Sequence, residues 1–160
     1  MIQKGIVSKE FVDKTVEFLS EFHDLIVDES GGVKGVRDIG GLHNSVYKIL
    51  TYRKRHEDNP AAVGAFVYEE LARRHHFNDA NKRTAHAFAK FQLFFMGAHL
   101  KVEYKDAIPF VIEVAKYESK ITLNQIKDWV KLHLAELPHD NVENYINETI
   151  LDISYGHKND

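Results

Sequence analysis

The chain has 160 residues and a formal net charge of -3 at neutral pH, which is the length of one domain and leaves no basic excess with which to coat nucleic acid. Hydrophobic residues make up 44% and charged residues 28%, the balance of a globular chain that can bury a core. Cysteine is absent, so disulfides, cysteine-ligated zinc and a thiol nucleophile are excluded, and a reducing, cytoplasmic setting is expected. No apolar run approaches the ~20 residues of a bilayer span, and the start, Met1-Ile2-Gln3-Lys4-Gly5, lacks the apolar centre of a signal peptide.

Long segments carry neither glycine nor proline, which favours helices over a turn-rich β fold. Ser8 reads as an N-cap, and Phe11, Thr15, Leu19, Phe22 and Ile26 recur at helical spacing, predicting a helix over 9–27. The stretch 30–41 holds five glycines; it reads as a loop with a short hairpin around Val33 to Arg37. Leu42, Val46, Ile49 and Leu50 begin a second helix that ends in Arg53-Lys54-Arg55. Asn59-Pro60 starts a third, running to Arg74. Asp79 or Ala80 opens a fourth, with Phe88, Leu93 and Met96 inward and Gly97 as its stop. Asp106 is expected to cap a fifth helix with Pro109 in its first turn. Thr122-Leu123-Asn124-Gln125 is a capping box before a sixth, and Asp140 precedes a last helix through Tyr145, Ile150 and Ile153. From Leu132 to His157 there are five acidic residues and no lysine or arginine, a solvated face or a docking segment. The reading is an all-α protein of seven helices with one glycine-rich loop.

Chemistry concentrates in residues 73–84, Arg-Arg-His-His-Phe-Asn-Asp-Ala-Asn-Lys-Arg-Thr. This polar stretch lies between two apolar helices and enters the second at its N-terminus, where unpaired N–H groups and a partial positive charge bind phosphate. Asn81 can hydrogen-bond there, Lys82 and Arg83 bring charge, and arginine can grip a phosphate with two bonds. Asp79 just upstream is the kind of carboxylate that holds Mg²⁺ beside phosphates. His75 can take a proton from an attacking hydroxyl. Base, metal carboxylate and phosphate cradle are together the parts of phosphoryl or nucleotidyl transfer.

The ordered string His75-His76-Phe77-Asn78-Asp79-Ala80-Asn81-Lys82-Arg83 resembles the Fic/Doc signature, H-x-F-x-[D/E]-[G/A]-N-[G/K]-R, and Gly35-Val36-Arg37-Asp38-Ile39-Gly40-Gly41-Leu42 is similar to a loop of the death-on-curing (Doc) toxins. The resemblance spans roughly 8–137, which defines a Fic/Doc domain over 1–137. Residues 138–160 are left as a C-terminal helix and tail, part of that domain or a docking extension. The resemblance implies an all-helical bundle with a central motif loop and a glycine-rich β-hairpin flap, from Gly31 to Gly41, that aligns a target segment by backbone pairing. It implies His75 as the base, Phe77 as the loop's anchor and Asp79 as the Mg²⁺ ligand. Asn81, Lys82 and Arg83 would bind the phosphates of ATP, with added contacts from Asn78 and from Arg73.

Lys82 separates two reactions within the resemblance. Relatives with glycine there transfer AMP; a lysine fills that phosphate pocket, and the Doc-like branch transfers the γ-phosphate of ATP. Ala80 also matches the Doc branch, and as a residue without glycine's freedom it is expected to turn without a positive φ. The implied protein is a kinase of Ser/Thr hydroxyls, with elongation factor Tu as the family's target. The inhibitory spacing [S/T]-x-x-x-E-[G/N] found in many Fic proteins is missing, so a separate antitoxin protein is implied. Three other readings stand beside it. One is AMP transfer. Another is an HD-type metal phosphohydrolase assembled from His23-Asp24, His75-His76 and Asp79. The third is a helical interaction module without activity. His23, His43, His56, His86, His99, His133, His139 and His157 are read as surface or satisfied core positions, and Arg53-Lys54-Arg55 as a solvated face.

Overall fold

The computed structural model describes residues 7–158; the reading of the first five residues lies outside them. These residues form seven helices: α1 Lys9–Ser30, α2 Ile39–Arg55, α3 Pro60–Arg74, α4 Asn81–Phe95, α5 Tyr104–Ala115, α6 Leu123–Leu132 and α7 Val142–Lys158. The expected all-α class holds. One small antiparallel pair was not foreseen, β1 His99–Leu100 with β2 Leu134–Ala135; two residues a strand are too few to leave a period-2 pattern.

Most of the capping chemistry is as the sequence indicates. Ser8 Oγ accepts from the N–H of Phe11 at 3.2 Å, and Asn59 Oδ1 from that of Ala62 at 3.2 Å ahead of Pro60. The Thr122/Gln125 box is reciprocal, at 3.1 Å and 2.8 Å. The fifth helix differs. It starts at Tyr104 rather than behind Asp106, its own N-cap, Glu103, gives no side-chain bond, and Pro109 lies inside the helix. The cap comes from α7, where Asp152 Oδ2 accepts the Tyr104 N–H at 2.9 Å. A cap supplied from a distant part of the chain cannot be read from local spacing. Helix α1 also runs three residues past the predicted 27, and α2 begins three before Leu42, on Asp38 as its cap.

Helix α4 is the axis of the bundle. Every residue from Arg83 to Phe94 is buried. One side of it meets Leu42, Val46, Tyr68, Leu71 and Val130 through Phe88 and Leu93. The other meets Phe22 and Ile26 of α1 and Tyr145, Ile150 and Ile153 of α7 through Phe91 and Phe94. Each such fully buried large side chain contributes roughly 1.5–3 kcal/mol, so the start of α4, where the motif lies, is set by packing on both flanks. Phe95 at its end is exposed.

His86 is fully buried on α4, hydrogen-bonded through Nδ1 to the Tyr68 hydroxyl at 2.7 Å. Burial, then the charge of Lys90, hold its pKa well below the ordinary 6.5. The unfolded chain takes up a proton as pH falls below that value and the folded chain does not, so folding stability present above about pH 6.5 is lost below it. Urea unfolding between pH 7.5 and 5 should show this loss, and His86→Gln should show a smaller one. Identical pH dependence in the two proteins would contradict the burial of a neutral imidazole.

Candidate active site

The motif loop runs between α3 and α4, and two residues at its ends bend it. His75 has φ 52° and ψ 53°, and Ala80 has φ 60° and ψ 27°. Both are left-handed, a conformation that costs a residue with a Cβ roughly 1–2 kcal/mol. The expectation that Ala80 turns without positive φ is therefore corrected: the alanine takes the turn a glycine would.

Neighbouring contacts hold the bent loop in place. Phe77 is buried, and both its backbone groups are bound by one side chain: Asn81 Oδ1 accepts its N–H and Asn81 Nδ2 donates to its carbonyl, each at 3.0 Å. The His23 ring of α1 stacks on Phe77, with centroids 4.0 Å apart. Its Nε2 lies 2.7 Å from the Asp79 carbonyl, and because a carbonyl only accepts, this nitrogen carries the proton. His76 turns inward. Its Nε2 is 2.7 Å from Ser45 Oγ, which donates to Glu70 Oε2 at 2.8 Å, and Arg74 Nε closes the chain on Glu70 at 2.9 Å.

The glycine-rich stretch braces the loop from the other side. It is not the hairpin expected around Val33 to Arg37. Val36 pairs antiparallel with Phe77 as an isolated bridge. Asn78 N–H donates to Gly35 O at 3.0 Å, and His76 O accepts from the N–H groups of Arg37 and Asp38 at 2.8 Å and 3.0 Å. Asn78 Nδ2 also donates to Lys34 O at 3.1 Å, and the Arg37 guanidinium donates to His75 O. The strand partner of the stretch is the motif itself, Phe77 against Val36 and far along the chain, so local alternation could not reveal it.

Asp79 and Arg83 sit where the end of α1 meets this loop. Arg83 is buried and donates through Nη1 to Ser30 Oγ at 2.6 Å and to Gly31 O at 2.7 Å. It thereby supplies the cation that α1 lacks in its last turn. Arg83 Nη2 lies 3.7 Å from Asp79 Oδ1. The Asp79 carboxylate accepts from Val33 N–H at 3.1 Å and Ala80 N–H at 2.8 Å. Burial opposes its ionisation, but these two N–H groups, then Arg83 and His157, outweigh it and hold its pKa below the ordinary 3.8. Gly32, at φ +120°, passes so close that a Cβ there would fall 2.5 Å from Asp79 Oδ2 and 3.2 Å from Arg83 Nη2.

These groups open onto a pocket of about 330 Å³ lined by His75, Asn78, Asp79, Ala80, Asn81, Lys82 and Arg83, closed by Arg37, Tyr104 and His157. Helix α4 starts at this pocket with no side chain capping it, so its first N–H groups remain available to an anion. Of the residues singled out in the sequence, His75, Asn78, Asp79, Asn81, Lys82 and Arg83 come together here. Arg73 does not line it: its guanidinium is bound to Glu69 at 2.8 Å and to the carbonyls of Val114 and Ile121. It ties α3 to the end of α5 and the segment before α6, and its expected contact with nucleotide is corrected to this structural one. Asn81 differs in part, since its side chain is spent on Phe77. Three lining residues were missed. Arg37 stood inside the quoted flap segment; Tyr104 and His157 carry no motif and reach the pocket only through the packing of α5 and α7.

The donor set suits Mg²⁺ rather than a transition metal. Asp79 is an ionised, half-exposed carboxylate beside the Arg83 guanidinium, and one or two carboxylates with substrate phosphates are what Mg²⁺ uses. The rival assembly does not form, because His23 is engaged with Phe77 and Asp79 O, and His76 with Ser45. Among the described residues no group of three His, Asp or Glu side chains is placed to hold a metal.

A profile of the Fic/DOC family matches residues 13–93, a little over half of the chain. The chain belongs to the Fic/DOC family. It is thus a Fic-type enzyme, of a family whose members transfer part of a nucleotide to proteins, often with Mg²⁺ and often under the control of an antitoxin. No curated protein matches the chain. The match ends inside α4, so α5 to α7, with Tyr104 and His157, lie beyond it.

Gly32 tests how tightly the stretch after α1 fixes the site. Gly32→Val places a branched side chain against Asp79 and Arg83 in a backbone region that valine avoids. Displacement of catalytic groups by about 1 Å can cost roughly 10²-fold in rate, and a loss of that order in nucleotide-dependent transfer is expected, with helical content unchanged by circular dichroism. Wild-type activity in Gly32→Val would show that this close approach is not needed.

Proposed function

We propose that the protein is a Doc-type kinase, transferring the γ-phosphate of ATP to a Ser or Thr hydroxyl of a cytoplasmic protein, with elongation factor Tu as the expected target. The observation that carries this reading is Lys82. It is an exposed cation in the first turn of α4, lining the pocket beside Asp79 and Arg83, where an AMP-transferring relative has glycine and an open phosphate pocket.

The N–H groups at the start of α4 and the side chains of Lys82 and Arg83 hold the phosphate chain. Arg83 keeps one nitrogen on Ser30 and Gly31, which fixes the direction in which its other nitrogen points. Asp79 would hold a Mg²⁺ ion, which would supply neutralisation of phosphate charge. Asn78 lines the pocket, and Asn81 positions the loop. His75 accepts the proton of the target hydroxyl as the hydroxyl oxygen bonds to the γ-phosphorus; the bond from that phosphorus to the bridging oxygen breaks, and ADP leaves. The bent backbone of His75, with its carbonyl held by Arg37, places the imidazole at the pocket. We assign restraint of this activity to a separate antitoxin protein, since the chain lacks the inhibitory spacing of self-restrained relatives.

Three experiments test the reading. Intact-mass measurement of elongation factor Tu, or of a cell lysate, after incubation with the protein, ATP and Mg²⁺ should show a gain of one phosphate; an adenylate adduct would replace the kinase reading with AMP transfer. His75→Ala should abolish the gain while ATP still binds, and equal modification by this variant would remove His75 from the role of base. Asp79→Ala should lose most of the Mg²⁺-dependent rate, on the order of 10²-fold or more if the ion supplies several kcal/mol at the transition state.

A further inference from the structure

The C-terminal helix lies outside both the Fic/DOC match and the motif, yet its last two turns are fastened to α1 and α5. Ser154 Oγ donates to Glu29 O, one residue before the end of α1, at 2.8 Å. Asp152 caps the first N–H of α5. Gly156 packs so closely on that same turn that a Cβ would fall 2.8 Å from Lys105 N and 3.1 Å from Tyr104 Cδ2. Tyr145, Ile150 and Ile153 bury the rest of this face with Phe22, Phe91 and Phe94. Anchored at 152, 154 and 156, the helix brings His157 to the pocket wall that also holds Tyr104, with Asp79, Lys82 and Arg83 on the lining.

We infer that His157 is a nucleotide-binding residue: its imidazole donates a hydrogen bond to the phosphate chain of ATP in the pocket it shares with the motif loop, and α7 is therefore part of the active unit rather than an appended tail. Three observations support this. The pocket's lining is contributed by the motif loop, Arg37, Tyr104 and His157, so a phosphate seated on the start of α4 has His157 within the same enclosure. Asp79 and His157 line the same pocket, and His157 is among the groups that hold the Asp79 carboxyl below its ordinary pKa. The Ser154 bond also steadies the end of α1, whose next residues Ser30 and Gly31 hold Arg83, so one helix supports two of the phosphate-facing groups. The inference rests on the ATP-dependent reading above.

The test is ATP affinity by titration calorimetry with Mg²⁺, together with the separation of KM for ATP from kcat. His157→Ala removes a partly exposed side chain, and circular dichroism and the melting temperature check that the variant stays folded at the assay temperature. The expected result is an ATP Kd and KM raised about tenfold or more, the loss of one charge-assisted hydrogen bond, with kcat at saturating ATP within a few-fold of wild type. His157→Gln, which keeps a donor, should recover part of the affinity. Gly156→Val retains the imidazole but forces α7 off Lys105, and should weaken ATP binding as well. Equal ATP affinity in wild type and His157→Ala overturns the inference and leaves the kinase reading intact. Failure of the wild-type protein to bind ATP overturns both.

Discussion

The site depends on one short piece of backbone pairing. Residues 35–38 and 76–78 share three hydrogen bonds and the Val36–Phe77 bridge. They act together with the Asn81 side chain, the stacked His23, the inward bond of His76 to Ser45 and the Arg37 guanidinium on His75 O to oppose the unfavourable dihedrals of His75 and Ala80. With them, the loop is held from both faces: by α1 through His23, and by the glycine-rich stretch through main-chain bonds. The left-handed turns are then affordable, and they aim His75, Asp79 and the start of α4 at a single pocket. Strain retained at a site by its surroundings is a general mark of preorganisation.

The same economy ties the parts of the bundle together. Arg83 is at once the cation for the C-terminus of α1 and a wall of the motif pocket. Asp152 is at once a residue of α7 and the cap of α5. These shared groups mean that the relative positions of α1, α4, α5 and α7 near the pocket are fixed by polar contacts, in addition to the two apolar clusters that meet on α4. Buried polar partners of this kind specify one arrangement more sharply than apolar packing does, because a displaced donor or acceptor loses its bond without regaining water. Both short polar chains behind the loop, His23 to Asp79 O and His76 to Ser45 and Glu70, belong to this scheme.

Much of this was legible in the sequence, and what was not shares a cause. Helix identity followed from apolar spacing and from local caps at Ser8, Asn59 and Thr122, where cap and helix are adjacent in the chain. The nine-residue motif gave six residues that the fold does bring to one pocket. The errors arose where a partner is far away in sequence. The glycine-rich stretch was expected to pair with itself and pairs with the motif. Asp106 was expected to cap α5 and Asp152 does so instead. Arg73 sits two residues before His75, yet its side chain is drawn off by two carbonyls beyond α4, and His157 gave no signal because nothing in its surroundings of Gly156 and Lys158 marks a site. Ala80 shows a different limit, since local propensity disfavoured a positive φ and the tertiary contacts of the loop impose it.

The pairing of the glycine-rich stretch with the motif loop is the claim on which the site's geometry stands, and amide hydrogen exchange measures it directly. In the protein without nucleotide, the N–H groups of Arg37, Asp38, Phe77 and Asn78 should exchange far more slowly than unprotected loop amides, in step with one another as a single opening unit. Exchange of Arg37, Asp38 and Asn78 at the intrinsic rate of an open loop, while α4 remains protected, would contradict a preformed site.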